Sequence, residues 1–211
     1  ILTENPFSDL VSVAKADMSR SYFVTREEAS KVLLACPDAG WRLLFALARF
    51  GGLRVPSEAL SLRWSDVDWC NGRLTVRSSK TEHHDGNGVR VLPMFPELKE
   101  HLLCAFELAE HGEEFCVTRY RDKATNLRTQ LNRIISRAGL VPWPKLWQNL
   151  RSTRETELAN DFPMHVVTKW IGNSVAVAQK HYLQVTDDHF TKAMQKPMQY
   201  SHARGGFGRH G

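Results

Sequence analysis

The sequence has no apolar run near the ~20 residues needed to cross a bilayer. Nor does it open on a charged stretch followed by an apolar one, as a secretory leader does. A membrane-spanning or secreted class is therefore not expected. Cysteine is scarce: Cys36, Cys70, Cys104 and Cys116 lie far apart, with no C-x-x-C and no His pair at zinc-finger spacing. This excludes a disulfide scaffold and a zinc finger, and reads as four small reduced thiols in a cytosol. Carboxylates that might converge on a divalent ion are few. Asp66-x-Asp68 and Glu97-x-Lys99 are the suggestive ones, and strand-edge and helix-start roles account for both without a metal. No internal repeat is found, and only Ser201 to Gly211 is strongly biased, toward Gly, Arg and His.

What remains is ordinary globular composition. At 211 residues, 42% hydrophobic and 24% charged, the chain has room for one well-buried domain. Lys and Arg number 28 against 23 Asp and Glu, a net charge of +5, which leans toward a polyanionic partner. The chain opens on Ile1 rather than Met, so an upstream part is expected to be missing. Residues 1–20, with Asn5-Pro6, read as a linker or arm from that part, residues 21–198 as the folded domain and residues 199–211 as a flexible tail.

Thr25-Arg26-Glu27-Glu28 matches a capping box, so a helix is predicted from there to about Cys36, stopped by Pro37. A second runs from about Ala39 to Phe50 on Trp41, Leu44, Phe45 and Ala48, with Gly51-Gly52 suited to end it in a left-handed turn. Pro56 is suited to open a short helix through Leu62. The period then changes. Leu74 and Val76 alternate with Arg73, Thr75 and Arg77, and Val89 and Val91 alternate with Arg90, which predicts two strands joined by Asp85-Gly86-Asn87-Gly88. Asp66 to Trp69 adds a third, short strand. Helical spacing returns after Pro96, around Leu127 to Ile135, and from about Asn149 to Asn160. It continues from His165 to a stop at Gly172, after Ser174, and from Thr186 or Asp187 to about Gln195. The fold class is mainly α with a small antiparallel β-sheet (α+β).

Four segments carry a further signal. The run from Gly51-Gly52-Leu53-Arg54 through Glu58 to Arg63-Trp64 resembles the first arginine motif of the tyrosine recombinase (phage integrase) family. Asn149-Leu150-Arg151-Ser152-Thr153 resembles its second arginine motif, and Ile171-Gly172-Asn173-Ser174 followed by Lys180-His181-Tyr182 resembles its nucleophile segment. Ser79-Lys80-Thr81 sits where that family places a hairpin lysine. The set spans roughly residues 22 to 195 in family order, which makes it far more specific than any one motif. The resemblance implies the catalytic-domain fold of DNA breaking-rejoining enzymes and site-specific strand exchange through a 3′-phosphotyrosyl intermediate, with no metal or nucleotide cofactor.

The chemistry of the residues agrees. Charge gathers on a phosphodiester's non-bridging oxygens in the transition state, so two guanidiniums, Arg54 and Arg151, suit a clamp. Either one alone reads as a surface charge. Tyr182 would attack phosphorus and Lys80 would protonate the leaving 5′ oxygen; taken singly, they read as a core aromatic and a hairpin-surface lysine. Two positions depart from the family, which usually has His where Gln148 stands and His or Trp where Asn173 stands. Both amides donate hydrogen bonds, and neither shuttles a proton near neutral pH. His165 and His181 lie nearby in sequence. The family's supporting acid is commonly three residues after the first arginine, where Ser57 stands; counting back from Arg63-Trp64 selects Glu58 instead.

Arg63, Thr81 and Lys145 are the best candidates for DNA phosphate contacts among many positive residues, which include Arg90 and Arg154. By the resemblance, the partners are double-stranded DNA and a homotetramer on synapsed sites, with accessory DNA-bending proteins and no membrane. The expected location is cytoplasmic, at a bacterial or phage-type nucleoid. Three other readings stay open: a DNA-binding relative impaired in catalysis by Gln148 and Asn173, a type IB topoisomerase-like activity, and a metal-dependent nuclease.

Overall fold

The computed structural model describes residues 18–78, 88–122, 125–181, 183–184 and 186–195. Most of the expected arm and tail lie outside these residues, as do Lys80, Thr81 and Tyr182. Eight α-helices and three strands are described: α1 Arg26–Ala35, α2 Ala39–Arg49, β1 Val67–Asp68, β2 Arg73–Arg77, β3 Val89–Pro93, α3 Pro96–Glu107, α4 Leu127–Arg137, α5 Leu146–Asp161, α6 Met164–Ile171, α7 Val175–His181 and α8 Asp187–Gln195. The capping box of α1 is formed, with the Glu28 amide donating to Thr25 Oγ1 and the Thr25 amide donating to the Glu28 carboxylate. Asp38 caps α2 by accepting from the Trp41 amide at 2.8 Å.

The core is built around α2, whose Trp41 and Leu43 to Ala48 are wholly buried. It packs against α3 and α5, while α1 packs on α4, and the sheet β1-β2-β3 is antiparallel throughout. The sheet packs through β3 onto α6, and α6 contacts α5 and α7. Helix α5 starts at Leu146, three residues before its expected start, because Leu146 is itself buried and the Asn149 side chain holds the entry by donating to the Pro144 and Arg20 carbonyls.

Two expectations are corrected. Pro56 to Leu62 forms successive turns rather than a helix. The Arg54 carbonyl accepts from both the Glu58 and Ala59 amides, and the Glu58 carboxylate accepts from the Arg54 amide, closing the chain on itself before a helix can propagate. In β3 the inward face carries Arg90 and Leu92, while Val89 and Val91 are exposed. The register fixes this phase: Val76 pairs with Arg90 and Leu74 with Leu92, and all four are buried. Arg90 is therefore no surface cation, and neither is Arg154, which is buried on α5.

Arg154 belongs to a charged lock between helices. Arg49, wholly buried at the end of α2, donates to both oxygens of Glu157 at 3.0 and 2.6 Å. Arg154 donates to Glu157 at 3.2 Å and lies 4.1 Å from the centre of the Phe95 ring.

After α2 the chain turns at Gly52, with φ +66°, directly beneath Ile171. A Cβ there would lie 2.6 Å from Ile171 Cδ1. Gly52→Ala is expected to destabilise the fold by about 2 kcal/mol or more, from left-handed strain plus overpacking, read as a lower urea midpoint at unchanged m.

Candidate active site

The last carbonyls of α6 and the turn after it meet a cluster of arginines. A helix leaves its final carbonyls without intrahelical donors and its C-terminal end partly negative. Here three consecutive ones are taken by guanidiniums: Trp170 O by Arg90 Nε at 2.8 Å, Ile171 O by Arg151 Nη2 at 2.8 Å, and Gly172 O by Arg54 Nη2 at 2.8 Å. Arg151 also donates to Gly52 O at 2.6 Å. Gly172, at φ +80°, ends α6, and a Cβ there would meet Arg90 Cδ at 2.8 Å.

One carboxylate holds the three arginines together. Glu58 accepts from Arg54 Nη1 at 2.5 Å and from Arg90 Nη1 and Nη2 at 2.7 Å each, and Arg151 Nη1 lies 3.7 Å away. Its side chain is 0% exposed. Burial pushes its carboxyl up, but the Arg90 hydrogen bonds and the charges of Arg90, Arg151 and Arg54 outweigh burial and bring it down to about 2. Beside it, Asn173 Nδ2 donates to both oxygens of Glu155, at 2.9 and 3.0 Å, and Glu155 is wholly buried. Burial raises the Glu155 carboxyl, against the Asn173 bond and the charges of Arg151 and Arg54.

This cluster forms one wall of an open cleft of about 360 Å³, with Arg54, Arg90 and Asn173 on it. Ser174, His165 and Lys169 line it from the α6 side. Ser78 and Gly88 line it from the sheet, and a hydrogen bond from the Ser78 amide to the Gly88 carbonyl joins the two strand ends that flank residues 79–87.

Of the residues singled out in the sequence, the structure brings Arg54, Glu58, Arg151 and Asn173 into one cluster. Arg54 is partly exposed, whereas Arg151 is buried just beneath the wall. Gln148 is exposed on the first turn of α5 and does not line the cleft. Lys145, with φ +45°, precedes that turn. Arg63 pairs with Glu114 outside the cleft lining, its guanidinium 5.3 Å from the Phe115 ring centre. Ser57 is exposed. Lys80, Thr81 and Tyr182 lie outside the described residues; Gln184 is tied to α5, its amide donating to Thr156 Oγ1 at 3.1 Å and its side chain to Ser152 Oγ at 2.9 Å.

The sequence matches the phage integrase family over residues 23–189. The chain belongs to the phage integrase family. Solved structures agree on the fold of this family member. The crystal structure of XerA recombinase aligns at TM-score 0.67 and 19% identity, covering 84% of this chain and 66% of that one. The Tn1549 transposon integrase in complex with transposon right end DNA aligns at 0.62 and 19%, covering 92% and 72%. A lambda integrase tetramer bound to a Holliday junction aligns at 0.57 and 22%, covering 77% and 48%. This integrase-family chain thus spans less than two thirds of the XerA and lambda integrase chains. No curated protein matches the sequence.

Two members of the cluster were not singled out from the sequence as site residues, Arg90 and Glu155. For Arg90 the signal is Leu92: two residues on, it shares the strand face that pairs with Leu74 and Val76. For Glu155 it is the spacing from Arg151, four residues and one helical turn away on the same face.

Because the folded Glu58 carboxyl binds its proton more weakly than in the unfolded chain, its contribution is complete above the unfolded pKa of about 4.5. It is lost as pH falls toward about 2, a change on the order of 3 kcal/mol. Urea titrations between those pH values should show this loss in the parent and not in Glu58→Gln, which starts several kcal/mol less stable because the arginines lose their counter-charge.

Proposed function

We propose that this chain breaks and rejoins double-stranded DNA at specific sites as a tyrosine recombinase, without metal or nucleotide cofactor. The observation that carries the reading is the gathering of three guanidiniums on Glu58 at a cleft bounded by the two strand ends that flank Lys80 and by the turn that starts α7, the helix before Tyr182. The scissile phosphate lies in the cleft against Arg54, with Arg151 adding positive charge from beneath. Glu58 keeps both in place. Asn173 donates an N–H to a non-bridging oxygen, and Gln148, exposed on the first turn of α5 outside the cleft lining, offers its amide to the DNA backbone beside it.

The Tyr182 oxygen attacks phosphorus, forming the P–O(Tyr) bond as the bond from phosphorus to the 5′ oxygen breaks. The phenol passes its proton to water in the open cleft, with the guanidiniums stabilising the developing phenolate, and the Lys80 ammonium protonates the departing oxygen and is left neutral. Rejoining runs backwards, with a 5′-hydroxyl attacking phosphorus and the phenolate leaving. The phosphodiester energy is conserved in the intermediate, so no nucleotide is consumed. Strand exchange is assigned to a homotetramer of the full-length protein on synapsed sites, in the cytoplasm. The domain that does this comprises residues 21–198, with Lys145, Arg63 and Thr81 contacting DNA backbone.

The test uses nicked duplexes from a randomised-sequence library in EDTA. The parent should yield a denaturation-resistant protein–DNA adduct with a free 5′-hydroxyl, and Tyr182→Phe should yield none. Binding without adduct would instead mark a DNA-binding relative, and cleavage that needs added Mg²⁺ a nuclease. On a selected site, Lys80→Ala should lower adduct formation about 100-fold or more. A 5′-bridging sulfur at the scissile position should restore most of that loss, because a thiolate leaves without a proton.

A further inference from the structure

We propose that Glu155 is a positioning residue for this reaction: its buried carboxylate fixes the Asn173 amide so that one N–H is aimed at a non-bridging oxygen of the phosphate in the cleft. The inference rests on the recombinase reading and adds to it a residue outside the four motifs.

A carboxylate only accepts hydrogen bonds, so Asn173 must turn its nitrogen, and not its oxygen, toward Glu155. The two Glu155 oxygens subtend too small an angle at Nδ2 to meet both of its hydrogens, whose bonds diverge by about 120°. They share one N–H and leave the other free to point elsewhere. Asn173 lines the cleft beside Arg54 and Ser174, so that second N–H has an anion site within reach. The Asn173 Oδ1 is buried with no hydrogen-bond partner among the described residues. Among the described residues nothing on the oxygen side holds the amide, and Glu155 is what sets its orientation. An imidazole can donate from either ring nitrogen, whereas an amide has one donor end and one acceptor end and needs a neighbour that selects between them. Glu155 sits one turn beyond Arg151 on α5, so the element that places the guanidinium also places the group that orients Asn173.

The experiment measures adduct formation by the full chain on the selected nicked duplex, with either phosphorothioate diastereomer at the scissile phosphate. Glu155→Gln keeps the shape of the side chain but can offer its own amide to Oδ1 and turn Asn173 over. It should lower the rate at saturating DNA about 10- to 100-fold, with KM changed less than about threefold. The parent's preference between the two diastereomers should vanish in Glu155→Gln and in Asn173→Ala alike, and Glu155→Gln should add no loss in the Asn173→Ala background. If Glu155→Gln melts below the assay temperature, Glu155→Asp, which draws the carboxylate back by one methylene, is read by the same criteria. A parent-like rate in the Glu155 variant, an unchanged diastereomer preference, or additive losses in the double variant overturns the inference and leaves the recombinase reading standing. No adduct from the parent overturns both.

Discussion

A single carboxylate makes the positive wall of the cleft possible. Three guanidiniums brought together without a counter-charge would repel one another strongly in a partly dehydrated site, since unit charges 4 Å apart interact by about 4 kcal/mol at an effective dielectric constant of 20. Glu58 turns that repulsion into cohesion. It accepts from Arg54 and Arg90 directly and lies 3.7 Å from Arg151. Its own burial is tolerable only because those cations surround it. The turn after α2, the inner face of β3 and the buried side of α5 are thereby tied to one point. The carbonyls that end α6 complete the arrangement from the opposite direction, giving each guanidinium an acceptor fixed by backbone rather than by a rotatable side chain. A cationic wall held this way needs little further ordering to serve as the proposed phosphate clamp.

Helix α5 shows what such a site demands of secondary structure. Arg151 to Thr156 are all buried, yet all are polar or charged. This helix is stabilised within the domain by the partners its side chains find: Arg151 and Glu155 toward the cleft, Thr153 accepting from the Val24 amide, Arg154 and Glu157 toward α2 and α3, and Ser152 and Thr156 toward Gln184. A half-satisfied network would cost more than an apolar helix of the same shape, so each partner constrains the others.

Much of this was legible in the residues. The capping box at Thr25, the apolar spacing along α2, the alternation in β2 and the glycine stops at Gly52 and Gly172 are local signals, and each formed as local chemistry dictates. What local signals missed depends on distant partners. The turns after Pro56 replace a helix because Glu58 folds back on the Arg54 amide and is held there by β3. Arg90 looks like an outward strand residue because a buried cation is rare without a counter-ion, and its counter-ion lies 32 positions away. Helix α5 starts ahead of Asn149 because the Pro144 carbonyl and the Asn149 side chain, rather than a capping residue, set its entry. The motifs themselves could be found in the sequence because their residue types stand in family order along the chain and can be read without such partners.

The turn Gly172-Asn173-Ser174 joins these strands of argument. It closes α6, offers a carbonyl to Arg54, presents Asn173 to Glu155, and opens α7 when the Val177 amide donates to Ser174 Oγ. Beyond α7, Gln184 is fastened to Ser152 and Thr156, the neighbours of Arg151 and Glu155 on α5. Asn173 and Gln184 are thus both tied to the helix that carries the buried guanidinium. A displacement of α5 would carry Arg151, Glu155 and the Gln184 anchor together, while Arg54 and Arg90 reach the cluster from other elements and are coupled to it through Glu58 and the carbonyls that end α6. The attack on phosphorus proposed for this chain needs alignment to a fraction of an ångström, and groups tied to one helix share a frame of reference that favours it.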